Sequence, residues 1–293
     1  MRRACTALLM VVGAWMAMGQ TTGPATQKSE LAEPQRVAYT RDLAEVPGYF
    51  VAPKGEVRGA VLLVHDIFGV SDFMRGMAND LARQGYAVLM PDLYARYKRG
   101  DGNKPVDPLK DAAFDAKTAW LAYEATPDAQ IYSDLLAAVN FLSDEQATAK
   151  GLPLAVVGHD MGGGYAMRLA GTDLRVKAAV NYYGRILASN MTERRPISPV
   201  DSLFNLRAPL LSFYGEIDPQ VPADHVKQLE SRLVNNPNKT SYQLIKYPNV
   251  GHSFLVPTRP GYDKASAEDA MRVTREFLAR TLVKEKPEAA EGR

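Results

Sequence analysis

The sequence predicts an α/β domain in which a mostly parallel central sheet is flanked by helices on both faces. Short apolar runs rich in β-branched residues alternate along the chain with segments of helical period, which is typical of parallel strands joined by helices. The pattern shows no internal repeat and no second core. Apolar residues make up 46% of the 293 positions, which is enough for one sizeable core.

Seven apolar runs are the predicted strands, and their continuous apolar character suits strands buried on both faces. In chain order they are GYFVAP, GAVLLVHD, YAVLMPDL, LPLAVVGH, VKAAVNYYG, APLLSFYG and SYQLIKYP. Helices are predicted over 72–84, 110–125, 128–147, 161–171, 223–234 and 264–284. The first of these repeats apolar residues every four positions, with Ser71 as the N-cap and Gly85 as the stop.

The two ends of the chain carry signals of a different kind. Residues 1–20 contain two arginines, then an apolar run and small residues, which is the pattern of a secretory signal peptide. The run is short for a spanning helix, which needs about 20 apolar residues. We therefore predict export to the periplasm or the cell exterior, without membrane attachment after cleavage. Residues 21–35 and 285–293 are predicted to be disordered, and 36–284 to be the folded domain.

The charge balance and the cysteine content exclude several functions. The formal charge is +2 and becomes 2 − 2 = 0 once Arg2 and Arg3 leave with the signal peptide, so no nucleic-acid partner is predicted. The one cysteine, Cys5, leaves with the same segment, so the mature chain has neither a disulfide nor a thiol nucleophile. The histidine spacing shows no metal signature, and no cofactor is predicted. The oligomeric state is not readable from the sequence.

Residues 156–165, VVGHDMGGGY, have the spacing of a nucleophile elbow. A strand runs into Gly158, Asp160 and Gly162 and a helix follows, so the central side chain is exposed above the carboxyl end of the strand. A dinucleotide loop does not fit, because the Gly-x-Gly-x-x-Gly pattern fails. Aspartate is also a common N-cap, so the motif by itself leaves a capping role and a catalytic role open.

Two later segments supply an acid and a base. FYGEIDPQVP ends a strand in a turn that presents Asp218, and YPNVGHSF contains His252. The chain order nucleophile, acid, base is that of the α/β-hydrolase fold, in which the three lie on loops at the carboxyl ends of strands. We therefore predict an α/β-hydrolase fold without a large cap domain, with Asp160, Asp218 and His252 acting on a small-molecule substrate.

From about residue 41 to residue 279 the chain resembles the dienelactone hydrolase family. The resemblance rests on the segment HDIFGVSDFMRGMANDLARQGYAVLMPDLYAR, the glycine-rich elbow, GEIDPQVP and GHSF. It implies a single domain without a cofactor that hydrolyses lactone or carboxylic ester bonds. It also implies that Asp218 is the triad acid, that His252 is the base, and that the backbone N–H groups of Ile67 and Met161 form the oxyanion hole.

The chain departs from the family pattern at several positions. The family has cysteine at the elbow, where this chain has Asp160, and often glutamate where this chain has Asp66. The arginine expected four residues after the histidine is replaced by Val256, whereas Arg96 is retained. Asp66 and Arg96 are therefore candidate substrate-binding residues, and dienelactone itself is not carried over as the substrate.

A carboxylate at the elbow changes the expected chemistry. After attack on an ester carbonyl, a carboxylate of pKa about 4 would leave again more readily than an alkoxide. Attack on a saturated carbon instead gives a stable alkyl-enzyme ester, which His252 and Asp218 could help to hydrolyse. The GHD elbow resembles that of epoxide hydrolases and haloalkane dehalogenases, but residues 185–207 are too few for their helical cap.

Three hypotheses stay open from the sequence. The first is hydrolysis of a small ester or lactone, in which Asp160 and His252 jointly activate water. The second is attack of Asp160 on an epoxide or an alkyl halide through an alkyl-enzyme ester. The third is a non-catalytic exported binding protein with the shape of a hydrolase. All three hypotheses place the site at Asp160, Asp218 and His252.

Overall fold

A computed structural model describes residues 29–41, 44–97, 107–111, 113–187 and 191–282 of the chain. The predicted signal peptide at 1–20 and the predicted tail at 285–293 lie outside these ranges, as does most of the segment 21–35. Among the described residues, no helix is both long enough and apolar enough to cross a membrane.

A central sheet of eight strands organises the described part of the chain, in the order β1-β2-β4-β3-β5-β6-β7-β8. Strands β1 and β2 form an antiparallel hairpin, β2 also runs antiparallel to β4, and the remaining neighbours are parallel. The mostly parallel sheet of the predicted α/β fold is thereby confirmed. The strands are β1 (Gln35–Arg41), β2 (Ala44–Val51), β3 (Gly59–Val64), β4 (Tyr86–Pro91), β5 (Leu154–His159), β6 (Val176–Tyr182), β7 (Leu210–Gly215) and β8 (Tyr242–Tyr247).

Six α-helices connect the strands within the described ranges, close to their predicted positions. Ser71 caps α1 by accepting a hydrogen bond from the Met74 backbone N–H, as predicted. The helix expected over 110–125 begins later, because Asp115 accepts hydrogen bonds from two backbone N–H groups and caps it there. The helices are α1 (Asp72–Arg83), α2 (Ala116–Ala125), α3 (Asp128–Asn140), α4 (Met161–Thr172), α5 (Ala223–Val234) and α6 (Lys264–Thr281).

Strand β1 and the residues before it were not predicted. β1 lies at an edge of the sheet and buries only Tyr39, so it has no apolar run that would indicate a strand. Before it, the Ser29 N–H donates to the Arg83 carbonyl at 2.8 Å and the Ala32 N–H to the Ala52 carbonyl at 2.9 Å. The ordered chain therefore begins before residue 36, where we placed the start of the domain.

Alternate side chains of the central strands fill two apolar layers. In β3, Leu62 and Val64 pack into one layer with residues of α3 and α4, whereas Val61 and Leu63 pack into the other layer with α1 and α6. The period of two along a strand sends successive side chains to opposite faces. Helices thus cover both faces, as predicted, and the carboxyl ends of β3, β5 and β7 meet along one edge of the sheet.

Between β6 and β7 the described residues form loops and one short 3₁₀-helix, Pro199–Asn205. This segment contacts α4 and α5 instead of forming a separate layer over the carboxyl ends of the strands. The chain length between the two strands is too small for a cap domain, as expected from the sequence.

Candidate active site

The elbow between β5 and α4 forces Asp160 into an unusual backbone conformation, with φ 50° and ψ −117°. A Cβ atom at position 158 would lie 2.0 Å from the Gly162 carbonyl oxygen, and one at position 162 would lie 2.3 Å from the Val64 carbonyl oxygen. Only glycine fits at both positions. Strained backbone of this kind is typical of functional sites. The turn therefore explains the Gly-x-Asp-x-Gly spacing.

The side chain of Asp160 does not cap the helix that follows it. Within α4, all of which is described, no backbone N–H forms an N-cap hydrogen bond to this carboxylate. The main chain is held from the other side, because the Asp160 N–H donates to the Tyr182 carbonyl at 3.0 Å. The simple capping role that the sequence left open is therefore not what Asp160 does.

The structure brings the three predicted residues together at the carboxyl edge of the sheet. His252 Nδ1 lies 2.7 Å from Asp218 Oδ2, and His252 Nε2 lies 3.3 Å from Asp160 Oδ1. Asp218 is fixed in its turn by the backbone N–H groups of Gln220 and Val221, which donate to its Oδ1 atom at 2.7 Å and 3.3 Å. The imidazole thus bridges two carboxylates.

The two predicted oxyanion-hole donors face the carboxylate of Asp160 itself. The Ile67 N–H donates to Asp160 Oδ2 at 3.4 Å, and the backbone of Met161 contributes to the lowered pKa of the same carboxyl group. The loop that presents Ile67 is held by Asp66, whose Oδ1 atom accepts a hydrogen bond from the Phe68 N–H at 2.9 Å. One carboxylate oxygen therefore points towards the hole and the other towards His252.

Burial and charge together set the protonation states of this group. Burial would lower the pKa of His252, but its hydrogen bonds to Asp160 and Asp218 outweigh that effect and raise the pKa to about 9. Burial would raise the pKa of Asp160, but His252 and the charge of Arg185 outweigh it and lower the pKa. At neutral pH the site therefore holds an imidazolium between two carboxylates.

Asp66 lies beside Asp160 and His252, and its pKa is shifted upwards, whereas that of Asp160 is shifted downwards. Burial is the main cause that raises the pKa of Asp66 to about 7, and the negative charge of Asp160 adds to it. The neighbouring His65 is fully buried, and burial lowers its pKa to about 4. The Leu93 N–H donates to His65 Nε2 at 3.2 Å, so this neutral imidazole holds the β4 loop.

A cavity of about 660 Å³ opens above Asp160 and His252. Two guanidinium groups line it, those of Arg185 and Arg259. The Arg259 guanidinium stacks on Phe68, 3.4 Å from the ring centroid. The sequence did not indicate Arg259, because the family pattern has its arginine four positions after the histidine and Arg259 lies seven positions after His252. The cavity is therefore cationic as well as apolar.

The structure does not bring Arg96 into this group. Its guanidinium forms an ion pair with Asp134, whose side chain is only 2% exposed. Arg96 is thus engaged with α3, and its charge supports the packing of that helix. Among the predicted substrate-binding residues, only Asp66 lies beside Asp160 and His252.

The sheet order and the turn at Asp160 between β5 and α4 define an α/β-hydrolase fold. Residues 46–282 match the model of the dienelactone hydrolase family, which covers most of the chain. The chain belongs to this family and is a hydrolase.

Individual relatives agree with this membership. A Salmonella typhimurium protein whose name assigns it carboxymethylenebutenolidase activity is 31% identical over 238 residues, which are 80% of this chain and 83% of that protein. A Bradyrhizobium protein whose name assigns it lactonase activity on 2-oxo-3-(5-oxofuran-2-ylidene)propanoate is 27% identical over 75% of this chain and 82% of its own length. A crystal structure from Klebsiella pneumoniae, named for dienelactone hydrolase, superposes with a TM-score of 0.74 at 26% identity, covering 86% of this chain and 100% of that one.

Proposed function

We propose that this protein hydrolyses a small ester or lactone at the group formed by Asp160, His252 and Asp218. The names of the Salmonella and Bradyrhizobium relatives refer to activity on butenolide and lactone substrates. The cavity of about 660 Å³ lies within the size range of small-molecule sites. Its two arginines, Arg185 and Arg259, suit an ester or lactone that yields a carboxylate.

One observation determines the role we assign to Asp160, namely that its carboxylate is held between the Ile67 N–H and His252. A base must accept a proton from water, and a carboxylate of lowered pKa beside an imidazolium is poorly suited to that task. An ionised carboxylate with one oxygen near a hydrogen-bond donor is suited to attack. We therefore assign Asp160 as the nucleophile.

When the alcohol oxygen of the ester or lactone is bonded to a saturated carbon, the first step that follows is displacement at that carbon. An oxygen of Asp160 forms a bond to this alkyl carbon, the alkyl–oxygen bond breaks, and its electron pair leaves with the carboxylate product. After attack on the carbonyl carbon, Asp160 would leave again more readily than the alkoxide. Attack on the alkyl carbon avoids this problem, because the leaving group is then the carboxylate of the substrate. The guanidinium groups of Arg185 and Arg259 line the cavity where this negative charge develops.

The second step uses the same residues in other roles. Esterification removes the charge of Asp160, so His252 loses one of the two carboxylates that raise its pKa. The imidazolium then releases its proton to solvent and becomes a neutral imidazole that can act as a base. His252, oriented by Asp218, takes a proton from water as that water adds to Cγ of Asp160. The N–H groups of Ile67 and Met161 stabilise the resulting oxyanion. Collapse releases the alcohol, which receives the proton from His252, and leaves Asp160 as a carboxylic acid. The proton of this acid passes to His252, which regenerates the carboxylate beside an imidazolium.

A second candidate function has the same first step on an epoxide or an alkyl halide. The ionised carboxylate near the Ile67 N–H favours it for the reason given above, and the leaving atom is then an alkoxide oxygen or a halide. It differs from the first candidate in the product, which contains no new carboxylic acid. Assays of both substrate classes therefore separate the two candidates directly.

Single-turnover hydrolysis in ¹⁸O-water tests the proposed route. We expect the label in the peptide that contains Asp160, and no label in the acid or the alcohol released in the first turnover. Label in the acid product and none in the peptide would refute the nucleophilic role and favour direct attack of water. If neither wild type nor the Asp160→Asn variant turned over any ester, lactone, epoxide or alkyl halide, the protein would be a binding protein and our proposal would fail.

A further inference from the structure

A second cavity adjoins the catalytic cavity on the side of α2 and α4. Its volume is about 270 Å³. Four residues line both cavities, so the cavities are adjacent: Trp120, Tyr123, Met161 and Arg185. Met161 directly follows Asp160 in the chain. The second cavity therefore lies directly beside the elbow.

A buried ionic network fixes the far wall of the second cavity. Asp128 accepts hydrogen bonds from the Tyr165 hydroxyl, from Arg168 Nη1 at 3.0 Å and from Arg195 Nη1 at 3.4 Å. The side chains of Asp128 and Arg168 are each only 7% exposed. The Arg195 guanidinium also lies 4.0 Å from the centroid of the Tyr123 ring. Paired and stacked side chains of this kind make a wall of defined shape.

The lining of the second cavity is aromatic and slightly cationic. Trp120, Tyr123 and Tyr165 supply ring surfaces, and three arginines face two acidic side chains. Two of the arginines are paired with Asp128. The third, Arg185, forms no ion pair with any residue in the described ranges, and it lies where the cavities meet. Ring faces of this kind favour contact with another planar or alicyclic ring.

The size of the second cavity also suits a ring. A cavity of about 150 Å³ is large enough for benzene, so 270 Å³ leaves room for a substituted or a fused ring. A short alkyl or vinyl group would contact only part of this surface. The dimensions therefore distinguish ring-bearing substrates from small aliphatic ones.

We propose that the second cavity binds a ring-bearing part of the substrate while the scissile bond lies at Asp160. This inference rests on the proposed ester or lactone hydrolysis, and it adds a substrate class to it: esters or lactones that carry an aromatic or alicyclic group. Ile197 and Thr192 line the second cavity and not the first. They therefore set the size of the accepted ring without contacting the catalytic group.

The test uses the full chain with Ile197→Trp or Thr192→Trp, each of which fills the second cavity. Val234→Trp is the matched control, since Val234 is 56% exposed and lines neither cavity. The substrates are ethyl acetate, which has no ring, ethyl benzoate, with the ring on the acid side, and benzyl acetate, with the ring on the alcohol side; each has a saturated carbon on its alcohol oxygen. The acid released is titrated at constant pH.

We expect wild type and Val234→Trp to favour at least one ring-bearing ester over ethyl acetate. In Ile197→Trp and Thr192→Trp, kcat/KM for that ester should fall by about tenfold or more, which corresponds to losing the burial of a phenyl group. The value for ethyl acetate should stay the same. Equal effects of the cavity variants on all three esters would overturn the inference while leaving ester hydrolysis established.

If no ester is hydrolysed, a binding measurement still tests whether the second cavity binds a ring, independently of the proposed hydrolysis. Calorimetric titration with 2-naphthoate, and with acetate as the ringless control, needs no catalysis. Tight binding of 2-naphthoate to wild type and Val234→Trp, with about tenfold weaker binding to Ile197→Trp, would support the ring site alone. Equal affinity in all three proteins would refute it.

Discussion

The charge of Asp160 should control the protonation of His252, and replacing Asp160 with asparagine tests this directly. The pKa of His252 is raised from an ordinary value of 6.5 to about 9, so the folded site favours the imidazolium by about 3 kcal/mol. Two carboxylates cause this shift against the effect of burial. An opposite charge within hydrogen-bonding range shifts a pKa by about 1 to 3 units, so Asp160→Asn should lower the pKa of His252 by that amount.

Histidine NMR titration measures this shift. Burial lowers the pKa of His65 to about 4 and of His159 to about 3, so these two rings titrate far from His252. A His252→Gln spectrum assigns the signal. The control is Asp201→Asn, which removes the same charge from an exposed side chain paired with Arg232. An unchanged pKa in Asp160→Asn would refute the argument, and with it the change of role that we assign to His252 after esterification.

Four further outcomes are expected. Asp218→Asn should lower kcat by about 10³ to 10⁴-fold while substrate binding persists, measured by steady-state kinetics, because the imidazole loses its orienting carboxylate. The pKa of His252 is raised on folding, so its stabilisation is complete below pH 6.5 and is lost as the pH rises through about 9. The free energy of unfolding should therefore fall by about 3 kcal/mol between pH 6 and pH 10, and less in His252→Gln. Gly158→Ala should lose about 1 to 3 kcal/mol in urea melts, because a Cβ atom there overlaps a carbonyl oxygen, and unchanged stability would contradict the geometry. Arg259→Gln should lower kcat/KM for esters, which release a carboxylate, more than for epoxides, and equal changes would count against its assigned role.

The sequence is sufficient for most of the fold because the buried strands are continuous apolar runs. The positions of β2 to β8 and of five of the six helices follow from those runs and from cap residues such as Ser71. Strand β1 could not be found in this way, because it exposes most of its side chains and depends on pairing with β2. An edge strand of this kind is determined by its neighbour more than by its own composition.

The meeting of Asp160, His252 and Asp218 at one place could be predicted because strand order fixes which loops share an edge of the sheet. Glycines around Asp160 and the positions of Asp218 and His252 after successive strands were enough to place them together. The role of the arginines could not be read in the same way. Arg96 is paired with Asp134, which lies 38 positions later in the chain. Arg259 lines the cavity because the loop after His252 folds back towards it. Contacts between distant segments of the chain decide both cases.

The carboxylate at the elbow also determines which reagents can mark this enzyme. Fluorophosphonates need a serine hydroxyl and iodoacetamide needs a thiol, whereas the elbow presents Asp160 and the one cysteine is Cys5. Surveys that detect a reactive serine or thiol at the elbow with such probes would pass over this site even in a fully active sample. Electrophiles that alkylate carboxylates are the reagents that its site would select.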